Sequence, residues 1–143
     1  MKASTFSIDT STDYGKRVDG RLRQEKLIWL TTVGADHAPE PIPVWFLWDG
    51  SSFLVYSEPG KRKLKNIELN RSVALHFDGD GKGGNIVTFK GEARVSNDPP
   101  SDQVPDYVAK YEPMIRRMGM DPKKFAKTYS VPVRIRPTQL RGH

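Results

Sequence analysis

The sequence predicts a mainly β protein of the α+β kind, six antiparallel strands closed into a barrel with helices at its periphery. Three observations predict this. Six apolar runs have strand composition and either alternate or are dense in β-branched and aromatic residues. Tight-turn signals such as Asp49-Gly50 separate neighbouring runs. The helical patterns are few and short, so the sheet dominates. At 143 residues the chain reads as one domain over 13–143, preceded by a Ser/Thr-rich flexible lead-in over 1–12.

The elements follow in order. Residues 13–26 carry Val18 and Leu22 four apart among charges, which predicts a short amphipathic helix. Residues 27–33 form a buried first strand that ends at Gly34. In the second strand, 42–48, Ile42, Val44, Phe46 and Trp48 share one face and Trp45 and Leu47 the other. Both faces are therefore covered, and Pro43 marks an edge or a bulge. The third strand, 53–57, returns through the Asp49-Gly50 turn. A short helix over 61–70 buries Leu64 and Ile67. Residues 72–78 and 85–95 alternate as the fourth and fifth strands around a glycine-rich loop. Two helices, 107–118 and 122–129, precede a last strand at 131–136, and Pro113 is expected to bend or interrupt the first of them.

Composition limits the chemistry. With no cysteine, disulfides, thiolate metal sites and cysteine nucleophiles are excluded. His37, His76 and His143 have no ligand spacing, so no metal site is expected. There is no phosphate loop of the Walker type and no nucleophile elbow. No apolar run reaches the roughly 18 residues that a membrane helix needs, and the first residues lack the apolar centre of a signal peptide. The expected location is the cytoplasm, without a membrane partner. A net charge of +6 favours anionic partners.

That charge is concentrated. Between residues 61 and 71 stand five cations, Lys61, Arg62, Lys63, Lys65 and Arg71, against one acid, Glu68. Most of them lie where the predicted helix begins. Unpaired amides and the positive end of the helix dipole already favour an anion there, so bound phosphate relieves a conflict that cations alone would create. Arg62 and Asn66 share a face, and Ser57 can donate a hydroxyl. A nucleic-acid site would interleave aromatic residues with these cations, and this stretch has none; no nucleic-acid partner is expected.

A strand ending Tyr56-Ser57, the run Gly60-Lys61-Arg62-Lys63, Asn66, and then Ser72-Val73-Ala74-Leu75-His76-Phe77 resembles the pyridoxamine 5′-phosphate oxidase-like proteins of the FMN-binding split-barrel type. The N-terminal strands and the last residues are similar to the actinobacterial branch that uses the deazaflavin coenzyme F-420. The resemblance implies a split β-barrel and a homodimer with the cofactor at the subunit interface. It implies that Arg62 and Lys63 grip the cofactor phosphate, and that Tyr56 and Ser57 are the matching strand end. Ile42, Pro43 and Val44 would run beside the ring, with Lys61 and Asn66 close enough to help. The family's true oxidases have an Arg near Pro41 and a longer C-terminal segment; both are absent, so oxidation of pyridoxamine phosphate is not expected. Ile86 aligns with a family Gln and would leave an apolar wall against the ring.

The implied function is an oxidoreductase moving hydride from reduced F-420 to a small unsaturated or aromatic substrate. No side chain is expected to be the catalyst, although Tyr56 is the nearest proton source. An FMN-dependent enzyme, or a non-catalytic flavin- or tetrapyrrole-binding protein of the same fold, is the alternative.

Overall fold

The computed structural model describes residues 6–143. It contains one antiparallel sheet of seven strands: β1 (Ile28–Val33), β2 (Pro39–Val44), β3 (Leu47–Trp48), β4 (Phe53–Ser57), β5 (Ser72–His76), β6 (Val87–Val95) and β7 (Val131–Gly142). Four helices accompany it: α1 (Asp13–Gln24), α2 (Arg62–Leu69), α3 (Pro105–Arg117) and α4 (Pro122–Thr128).

The seventh strand comes from a break in the expected second one. The sheet order is β2-β1-β5-β6-β7-β4-β3, so β2 and β3 occupy opposite edges. Yet only Trp45 and Phe46 separate them. Three peptide steps span at most about 11 Å, so the sheet must curl until its two edges nearly meet. No pairing joins β2 to β3, and the barrel stays split along this seam.

Side-chain alternation survives the break. Val44, Phe46 and Trp48 point into the barrel core, where Phe46 lies 5.9 Å from Phe53 and 5.8 Å from Phe77. Trp45 and Leu47 point outward into a second apolar cluster with Leu54, Tyr56, Tyr107, Tyr111, Ile115 and Phe125, under α3 and α4. The backbone at the seam has no strand partner and is satisfied by α3 instead. Phe46 N–H donates to the Tyr111 hydroxyl at 2.8 Å, and the Lys110 ammonium donates to the Phe46 carbonyl at 2.7 Å. The Tyr111 hydroxyl proton is shared between the carbonyls of Lys26 and Phe46.

Edge strand β2 carries Pro39, Pro41 and Pro43, all exposed, which an edge tolerates because missing N–H groups break no ladder there. β7 runs six residues past its expected end. Pro137 sits opposite Gly91 at a register shift, and a Cβ on Gly91 would stand 2.8 Å from the Arg136 carbonyl oxygen. The bulge absorbs the proline, and the glycine allows the close approach. α3 continues through Pro113 rather than breaking. Pro113 and Ala109 are both exposed, so the carbonyl that loses its partner faces water.

Thr12 caps α1 by accepting from Gly15 N–H at 3.0 Å, while Val18 and Leu22 bury its inner face. Phe6 and Ile8 also pack on the barrel core, so the packed chain begins before residue 13. Of the lead-in expected over 1–12, residues 1–5 lie outside the described residues.

Candidate functional site

Three elements end at one place. β2 ends at Val44, β4 ends at Tyr56 and Ser57, and α2 begins after Lys61. α3 and α4 close over them, leaving a cavity of 370 Å³, within the range of small-molecule sites. Of the residues singled out by sequence, Pro43, Val44, Tyr56, Ser57, Lys61 and Lys63 line it. Ile42, Arg62 and Asn66 do not.

Each of these three has another setting. Ile42 packs against the barrel core. Asn66 is 4 % exposed and donates from Nδ2 to Thr32 Oγ1 at 2.9 Å, joining α2 to β1. Arg62 keeps 77 % of its side chain exposed and lies 3.6 Å from Glu40 on β2. The helix turn that brings Lys61 and Lys63 to the cavity carries Arg62 to the opposite flank.

Lys63 is half-buried and has no ion pair among the described residues. Burial, and then the neighbouring Lys61, hold its ammonium below the usual lysine range. Lys61 is partly neutralised by Glu58 at 3.5 Å. The first turn of α2 contains no acid, and Lys61 at its N-cap makes no side-chain cap bond. Two cations, Lys61 and the half-buried Lys63, therefore line the cavity beside the start of α2. This arrangement fits a phosphate group.

Much of the remaining lining is apolar. Trp45, Tyr107, Met118, Phe125 and Tyr129 supply it. Trp45 stacks on Phe125 at 5.3 Å, and Phe125 on Tyr129 at 4.5 Å. Such a slot fits a planar ring joined to a phosphate arm. Tyr56 contributes its ring, while its hydroxyl donates to the Pro99 carbonyl at 2.5 Å. Burial, then Asp98, push that hydroxyl up to about 12. Ser57 donates its hydroxyl to the Glu58 carbonyl at 2.8 Å. Ile86 does not line this cavity; it pairs by backbone with His143. The three histidines are dispersed, and no group of three His, Asp or Glu among the described residues could hold a metal. No described helix is long and apolar enough to cross a membrane.

The family model for pyridoxamine 5′-phosphate oxidase matches residues 15–143. The chain belongs to the pyridoxamine 5′-phosphate oxidase family. Solved structures similar to this family member share its fold at low identity. An F-420 reductase superposes with a TM-score of 0.64 and 21% identity, covering 86% of this chain and 94% of the other. HutZ, the heme storage protein from Vibrio cholerae, gives 0.62 and 18%, with 96% and 95% covered. A conserved hypothetical protein from Mycobacterium tuberculosis gives 0.67 and 18%, with 99% and 87% covered. No curated protein sequence matches significantly.

In this pyridoxamine 5′-phosphate oxidase family member, sequence reasoning missed Tyr107, Phe125 and Tyr129 as cavity residues. They lie fifty or more residues beyond the strand end they face. Only aromatic content in the helical region hinted at them, and that content reads equally well as packing. Met118, at the C-terminal end of α3, lines the cavity as well.

Proposed function

We propose that this protein is an oxidoreductase that holds coenzyme F-420 in the 370 Å³ cavity and reduces a small unsaturated or aromatic substrate. Half-buried, unpaired Lys63 facing an apolar, ring-sized slot supports this most directly. When bound, the deazaflavin supplies two-electron hydride chemistry. The chain's own residues bind, orient and screen. Lys61, Lys63 and the open amides of α2 hold the phosphate. Pro43 and Val44 flank the ring, and the Trp45–Phe125–Tyr129 wall excludes water. Tyr129 makes no side-chain hydrogen bond among the described residues, so its hydroxyl is free to hold a proton near the substrate. Tyr56, with its hydroxyl engaged and its acidity reduced, is not the donor.

The reading extends to a homodimer that completes the site. The rim residues Pro43 and Met118 are exposed, and Leu27 is half-exposed on the hollow that adjoins Pro43. Light scattering that gave a monomer at working concentration would remove this part of the reading.

The cofactor assignment is tested by titrating the protein separately with F-420, FMN and haem and following tryptophan fluorescence, since Trp45 lines the cavity. F-420 is expected to quench at the lowest concentration. Tight FMN binding without F-420 binding would move the protein to the FMN-dependent enzymes. Reduced F-420 offered with a panel of quinones and enones then tests turnover.

A further inference from the structure

On the other flank of α2 the cations continue along a surface trough. A groove of 500 Å³ between α2 and β6 is lined by Lys61, Lys65, Arg71 and Arg94, with Leu64 and Val95 as apolar spots. A second groove of 500 Å³ crosses β6 and β7 and is lined by Arg71, Arg94, Arg134 and Arg136. Arg71, Ala93 and Arg94 line both, so the two adjoin. Among the described residues, six cations border them against two acids, Glu68 and Glu92.

The strand register sharpens the pattern. Arg94 stands directly opposite Arg134, and Glu92 opposite Arg136. Like charges facing across an antiparallel pair are destabilising. Arg134 is relieved by Asp98 at 2.7 Å and Asp49 at 2.8 Å, and Arg136 by Glu92 at 2.6 Å. Arg94 and Arg71 make no ion pair or side-chain hydrogen bond among the described residues. They are neighbours, because Ala93 N–H donates to the Arg71 carbonyl at 2.8 Å. This face pairs carboxylates with guanidinium groups, and among the described residues it leaves Arg71 and Arg94 without a direct ion pair, Arg94 acting on Asp98 only through its charge.

We propose that the trough binds an extended acidic segment of a partner protein, its carboxylates on Arg71 and Arg94 and its apolar side chains over Leu64 and Val95. Guanidinium forks match carboxylates in two-point contact. Cations drawn from α2, β6 and β7 suit an extended chain rather than a compact ion, and apolar residues among them suit a peptide. A single-stranded nucleic acid needs aromatic platforms. Phe6 is the one aromatic residue lining either groove, and its ring already packs edge-on against Phe89. Only Lys61 is shared with the candidate cofactor cavity, so the two sites are separable by mutation.

The test is fluorescence anisotropy with a labelled peptide of alternating Glu and Ala, and in parallel a labelled single-stranded oligonucleotide of equal charge. The chain is compared with its Arg71→Glu/Arg94→Glu and Arg71→Lys/Arg94→Lys variants. Peptide affinity is expected to fall at least about tenfold in the Glu variant, since charged hydrogen bonds are lost. The Lys variant should fall between, and F-420 or FMN quenching should not change. Unaltered peptide affinity in the Glu variant would overturn the proposal. So would tighter capture of the oligonucleotide, or a shift in oligomeric state marking the trough as a contact between copies of this chain. A thermal melt matching the parent shows that the variants are folded.

Discussion

Trp45 lies flat on Tyr111, their ring centroids 4.5 Å apart and their planes within 1° of parallel. Trp45 also stacks on Phe125, so one side chain at the seam ties α3 and α4 to the sheet and forms part of the cavity wall. Trp45→Ala is expected to lower stability by about 3–5 kcal/mol in urea denaturation, and Trp45→Phe by much less, because it keeps a ring in the stack. Loss of Trp45 should also remove most of the fluorescence response to a cavity ligand.

Tyr111→Phe isolates the polar part of the same contact. The hydroxyl serves Phe46 N–H and the carbonyls of Phe46 and Lys26 where no strand pairs with them. Its loss leaves a buried donor unmet and should cost about 1–3 kcal/mol, with the aromatic packing retained. Hydrogen exchange at Phe46 should quicken in the variant; unchanged protection would refute the role.

Lys63 and Arg62 should behave unequally. Lys63→Ala is expected to weaken a phosphate-bearing cofactor by about 1.5–3 kcal/mol, whereas Arg62→Ala, exposed and beside Glu40, should have a smaller effect. The Lys63 ammonium is held below 10.5 in the free protein, and an anion favours its charged form. Affinity should therefore decline as pH rises through that lowered value, with proton uptake on binding in alkaline buffer. Equal losses for the two variants would count against the assignment.

Lys110 supplies a pH signature of the fold itself. Burial first, then Lys26, lower its ammonium from 10.5 to about 8. The unfolded chain therefore binds more protons between pH 8 and 10.5, so this group's unfavourable contribution is complete below pH 8 and is relieved as pH rises across that window. Lys110→Met removes the group while Tyr111 still serves the Phe46 carbonyl. Its stability relative to the parent should be best near neutrality and should fall between pH 8 and 10.5, read from denaturant midpoints.

Asp98 gives the same slope with pH as Lys110, stability rising as pH rises, but its contribution is favourable and its window is acidic. Its hydrogen bond from Arg134 holds the carboxyl below 3.8. The contribution is present above 3.8 and is lost as pH falls through the lowered folded value. Asp98→Asn should destabilise by about 1–2 kcal/mol at neutral pH, and the difference from the parent should vanish in strong acid.

The fold was legible where local pattern and tertiary role coincide. Alternation along 72–78 and 85–95 marks the strands now seen as β5 and β6, and Val18 with Leu22 marks α1. The seam was not legible. Ile42 to Trp48 alternates without interruption, because successive residues at the break still send their side chains to opposite sides, Phe46 into the barrel and Trp45 under α3. β7 extends beyond the strand expected over 131–136, because the bulge opposite Gly91 accommodates Pro137, a contact no local pattern displays.

The sequence by itself determined that an antiparallel barrel would form and that a cation-rich helix start would follow the strand end at Tyr56 and Ser57. Periodicity, turn chemistry and local charge are properties of neighbouring residues, and neighbours are what a sequence displays. Tertiary structure alone decided that Lys61 and Lys63, and not Arg62 or Asn66, face the cavity. It also decided that Phe125 and Tyr129 wall it, and that Arg71 and Arg94 line one trough. Those outcomes depend on which way a helix is rotated against the sheet and on which distant segments the curled sheet brings together. Contacts between distant segments leave no periodic trace in either one.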